Sequence, residues 1–160
     1  MPLLLSACVA QKPYLQTPQG ELNELLHEWE KMAIQDHRDI IIWVYLPITH
    51  HSDAYKEDML IRIEETWAEL HQQLQRNASI IKTKQWTLLY EEALSLQAKL
   101  HTKYSYITSS LVDYEDYENP IKMFEAEDRI ISDIDEPSKE LIYCIVQLRM
   151  AAQNPDIWQD

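Results

Sequence analysis

Glycine is almost absent: Gly20 is the one glycine in 160 residues. Sheet proteins usually need glycine at tight hairpin turns, so the scarcity points to helices. It also removes the glycine-dependent motifs. A P-loop, a Rossmann fingerprint and a G-x-S-x-G elbow each require more than one glycine. Cysteine is nearly as scarce, and Cys8 with Cys144 makes no disulfide framework. No apolar run reaches the ~18–20 residues of a membrane span. Bases are outnumbered, with 14 Lys and Arg against 27 Asp and Glu and a formal net charge of −13. Nucleic acid and anionic lipid both need a basic footprint, so neither is an expected direct ligand. The excess of acid favours solubility and a basic protein partner.

What is present is helical patterning. A chain of 160 residues that is 46% hydrophobic can build one domain with a real core. Thr17-Pro18 suits a helix start, with Thr as cap and Pro at the first helical position. Leu22, Leu25, Leu26, Trp29, Met32 and Ala33 follow at helical spacing. After the charged set 36–39, the run Ile40 to Leu46 reads as helix or strand. Helix is favoured because no second strong strand exists to pair with it. Leu60, Ile63, Trp67, Leu70 and Leu74 form a second stripe, and Trp86 through Leu111 carries a third. The spacing predicts two long antiparallel helices with a short turn near 77–83, where Asn77-Ala78-Ser79 offers the break and the new cap. An acidic, tyrosine-rich loop is expected over 113–119, then a short helix over 121–134 and a restart at Asp135-Glu136-Pro137. The expected fold is an all-α antiparallel bundle of four to five helices over residues 21–153, with a tail over 154–160.

Candidate chemistry is thin. Glu24 and His27 have the E-x-x-H spacing of di-iron bundles, but there is no second copy. His50, His51 and Asp53 offer imidazole and carboxylate ligands. Clusters at 113–118 and 133–136 offer oxygens, yet neither fits an EF-hand, which needs glycine at its sixth position. Cys144 lies in an apolar setting where a thiol is inert. No catalytic residue, metal or cofactor is therefore assigned, and a non-enzymatic role is expected.

Leu5-Ser6-Ala7-Cys8 resembles the bacterial lipoprotein lipobox. The resemblance implies diacylglycerol on the Cys8 thiol, cleavage before Cys8 and acylation of the new amino group. Residues 1–7 would be the end of a signal whose full length starts upstream of Met1. Residues 8–20, polar and carrying Pro13 and Pro18, would be the tether. The membrane would be reached only through lipid on Cys8. Val9 follows the cysteine, where an Asp often retains the family's members at the inner membrane, so the outer membrane is favoured.

The binding edge is expected near the acid-rich segment. Between Asp113 and Glu136 stand ten acids and two bases. Tyr106, Tyr114 and Tyr117 accompany Asp113, Glu115, Asp116 and Glu118. Tyrosine gives wide contact area at low entropic cost, and acids steer a basic surface inward. The expected function is a lipid-anchored envelope protein that binds another protein, as an assembly accessory or an immunity-type inhibitor. The alternative is a soluble cytoplasmic acidic binder of a basic, nucleic-acid-handling protein, with Cys8 an ordinary thiol.

Overall fold

The computed structural model describes residues 17–45, 53–112 and 120–158. Four helices carry the fold: α1 (Pro18–Tyr45), α2 (Asp53–Ala78), α3 (Lys84–Val112) and α4 (Pro120–Ala152), followed by a 3₁₀ turn over Pro155–Trp158. No strand occurs among the described residues. In the bundle α2 lies beside α1, α3 beside α2, and α4 packs on both α3 and α1.

Cross-helix pairs fix the directions. Gln19 Nε2 donates to the Ala152 carbonyl at 3.1 Å, and His37 meets Asp135 at 3.0 Å, so α1 and α4 run antiparallel. Trp86 Nε1 donates to the Leu148 carbonyl at 3.3 Å and Lys103 pairs with Asp133 at 3.3 Å, which does the same for α3 and α4. Trp29 against Trp67 and Asp39 against Arg62 set α1 antiparallel to α2. The all-α antiparallel bundle follows.

Local chemistry explains the boundaries. Thr17 Oγ1 accepts the Gly20 N–H at 3.0 Å, the N-cap bond that satisfies one orphan donor of α1. The ambiguous run after position 39 is helical as far as Tyr45. Ile40, Trp43 and Val44 are buried while Ile42 and Tyr45 are exposed, the signature of a helix with one buried face. Leu46 lies outside the described residues. At the α2–α3 turn, the Ile81 N–H reaches the Ala78 carbonyl at 3.0 Å and the buried Ile81 side chain pins the turn to the core. Ser79 does not open α3. Its hydroxyl donates back to the Arg76 carbonyl at 2.8 Å and so finishes α2, whereas Thr83 accepts the Thr87 N–H at 3.1 Å and starts α3.

The expected break at Asp135-Glu136-Pro137 is absent, because α4 runs through Pro137 as one helix. Proline lacks the N–H that would bond the carbonyl four residues back, a cost of about 3 kcal/mol in a helix interior. Against it stand Ile134, Leu141, Ile145 and Leu148, fully buried on one stripe that spans the proline. Each contributes about 1.5–3 kcal/mol by leaving water, so a continuous helix wins. Trp67, on the second stripe, is partly buried, and Leu96 of α3 is buried. The Trp67 ring lies 5.2 Å from Trp29 of α1 and 6.2 Å, edge-on, from His101 of α3.

Candidate functional site

Two surface features gather polar side chains beside the core. The first is a groove of about 690 Å³ between α1 and α2, walled by Leu25, Met32, Ile34 and Leu70 and lined also by Asp36 and Arg62. Position 36 lies seven residues after Trp29 and four before Ile40, so the helix period puts it on the buried stripe. Asp36 is accordingly 3% exposed, and its Oδ2 has no hydrogen-bond partner. Burial pushes its carboxyl up to about 7; Arg62 pulls the other way, and Asp39 adds to the rise. Arg62 is already engaged, since its Nη2 donates to Asp39 Oδ2 at 2.6 Å while Gln35 Nε2 holds Asp39 Oδ1 at 2.7 Å. Across the core, burial first and the Asp36 charge second push the Tyr104 hydroxyl up.

The second feature is a tier of aromatic and imidazole rings that opens at one side. Trp29 Nε1–H donates to Gln97 Oε1 at 2.7 Å, and Gln97 Nε2 meets His101 Nε2 at 2.9 Å. Indole nitrogen is only a donor, so it orients the amide, and the amide nitrogen must then donate to His101. His101 Nε2 is thus an acceptor and the ring is neutral. Its pKa is lowered by burial, with Glu64 opposing. Trp67 stacks on His71 at 4.9 Å with a 6° tilt. Outside this tier, His101, Glu64, Thr102, Ser105 and Tyr106 line a recess of about 460 Å³.

No protein-family model, no curated protein and no solved structure matches the chain. Tyr106 is 73% exposed on the lip of the recess. Asp113, Tyr114, Glu115, Asp116, Tyr117, Glu118 and Cys8 lie outside the described residues, as do His50 and His51. Cys144 is buried on α4, and burial, then Glu92 and Glu140, raise its thiol pKa. Glu24 is exposed, and His27 stands 3.8 Å from Glu30. Asp133 pairs with Lys103, and Asp135 with both His37 and Lys139. Among the described residues no three His, Cys, Asp or Glu side chains are grouped to hold a metal, and no helix is long and apolar enough to cross a membrane.

Sequence reasoning missed Asp36 and Gln97. Both carried a usable signal. Asp36 falls on the stripe of Trp29, Met32 and Ile40, and Gln97 on that of Ala93 and Leu100. A polar residue at a buried helical phase either finds a partner or keeps an unmet need. Gln97 found two partners, and Asp36 Oδ2 none.

Proposed function

We propose that this is a lipid-anchored protein of the bacterial cell envelope that acts by binding another protein, as an assembly accessory or an immunity-type inhibitor. Lipid on Cys8 supplies the membrane attachment, with the outer membrane favoured, and the bundle supplies the recognition surface. The partner surface is basic, and the docking edge runs from Tyr106 through Asp113, Tyr114, Glu115, Asp116, Tyr117 and Glu118. The observation that carries this reading is Tyr106. A tyrosine left 73% exposed on the lip of a recess, on the helix that leads into the acid-rich segment, is a ready anchor for a partner. The net charge of −13 supports a basic partner by steering its approach.

The test starts from full-length protein expressed with its native leader. It is expected in the membrane fraction with the mass of an acylated chain, and Cys8→Ser is expected to release it or block processing. Recovery in the cytosol at unmodified mass would discard the anchor and leave the soluble acidic binder. For the edge, a partner captured from the source cell should dissociate faster from the double variant Tyr106→Ala, Tyr114→Ala. Neutralising Asp113, Glu115 and Asp116 should slow association and flatten its salt dependence. Unchanged rates in both would place the edge elsewhere.

A further inference from the structure

The α1–α2 groove contains more acid than its own bases neutralise. Glu28, Asp36, Asp39 and Glu69 stand in or beside it against Lys31 and Arg62. Lys31 is taken by Glu28 at 3.1 Å and Arg62 by Asp39 at 2.6 Å. Asp36 and Glu69 remain, neither with an ion-pair partner at hydrogen-bond distance among the described residues. Asp36 is nearly fully buried with Oδ2 unsatisfied, and Glu69 is exposed on the opposite wall. Between them the walls are apolar, with Met32 and Leu70. The antiparallel register, with Asp39 against Arg62 and Trp29 against Trp67, offsets positions 36 and 69 by roughly 6–14 Å along the bundle axis at 1.5 Å per residue.

We propose that this groove is a binding site for an aliphatic diamine, with one ammonium on Asp36, the other on Glu69 and the methylene chain along Met32 and Leu70. The volume falls within the ~300–1,000 Å³ of small-molecule sites. Two positive charges on one flexible chain match two uncompensated carboxylates, and the apolar stretch between them matches the walls. A buried carboxylate is costly alone and is stabilised by a charge-assisted hydrogen bond, so the ligand supplies what Asp36 lacks. Asp36 faces Asp39 on its own helix, Arg62 on α2 and Tyr104 on α3, while on α4 Asp135 is engaged by His37 and Lys139. Its proton is held up to about pH 7, so the incoming ammonium displaces that proton and affinity rises with pH through this range. The site is independent of the Tyr106 edge and of the lipid anchor.

The experiment is a calorimetric titration of the purified protein with heptane-1,7-diamine at pH 8. Propane-1,3-diamine, heptylamine and heptan-1-ol serve as controls. Saturable one-to-one binding is expected for the long diamine, at least tenfold weaker binding for the short diamine and the monoamine, and none for the alcohol. Asp36→Asn and Glu69→Gln are each expected to weaken the long diamine at least tenfold. Glu69 is an exposed side chain, so its variant keeps the test decisive even if Asp36→Asn perturbs the fold. Heats in two buffers of different ionisation enthalpy should show proton release at pH 6.5. The proposal is overturned by absence of saturable binding, by equal binding of the alcohol, or by undiminished affinity in the folded variants.

Discussion

Trp29 and Gln97 meet across the diagonal of the bundle, indole N–H to amide oxygen at 2.7 Å, with 68 residues of chain between them. This diagonal pair ties α1 to α3, which run parallel because each is antiparallel to α4. A bundle of apolar stripes can slide by a turn at modest cost, whereas a buried polar pair out of register leaves both groups unsatisfied.

Trp29→Phe should therefore cost stability beyond lost volume. The ring would still fill most of the core, but Gln97 Oε1 would lose its donor in a buried site. Urea unfolding should show a loss of about 2–4 kcal/mol, of which about 1–3 is the orphaned amide. A double variant with Gln97→Leu should recover part of it. No recovery would mean that the hydrogen bond does not set the register.

Asp36→Asn should stabilise the protein at high pH. A carboxyl whose folded pKa is raised from 3.8 to about 7 holds its proton more tightly folded than unfolded. Its contribution is most favourable below the unfolded value and is lost as pH rises towards about 7, by about 4 kcal/mol at most. The variant should therefore melt higher than the parent at pH 8, with the gap closing towards pH 4. A pH-independent gap would show that Asp36 does not titrate in the fold.

His101 carries the opposite sign. Burial lowers its pKa, so the folded state prefers the neutral ring and stability falls as pH drops below the ordinary 6.5. Long-range nitrogen–proton correlation spectra at pH 7 should show the Nδ1–H tautomer, since Nε2 accepts from Gln97. An Nε2–H signal would reverse the assigned direction of that bond.

Pro137→Ala should raise stability. Alanine restores the N–H that the interior of α4 lacks, while the unfolded chain regains freedom that proline had removed. The net gain is expected to be about 1–2 kcal/mol in denaturant titrations. A loss would mean that the proline shapes α4 for packing.

Cys144 should be slow to modify. In Cys8→Ser protein, a thiol reagent at neutral pH is expected to label Cys144 only as the bundle opens, and at once in denaturant. Labelling at the rate of a free thiol without denaturant would show that its stripe on α4 is open.

The sequence by itself determined the all-α class, the first three helices, the turn after Ala78 and most of the core. The reason is local: apolar residues recur at helical spacing, glycine is nearly missing and Thr17-Pro18 is a self-contained start signal. Tertiary structure decided the rest. Continuity through Pro137 depends on buried side chains on both sides of it, which no local rule weighs. The half-exposed position of Trp67 depends on the Trp29 and His101 rings that come to it from other helices. The unmet need of Asp36 became visible only when Arg62 was seen to be held by Asp39, because whether a buried charge is compensated is a property of neighbours in space and not in sequence.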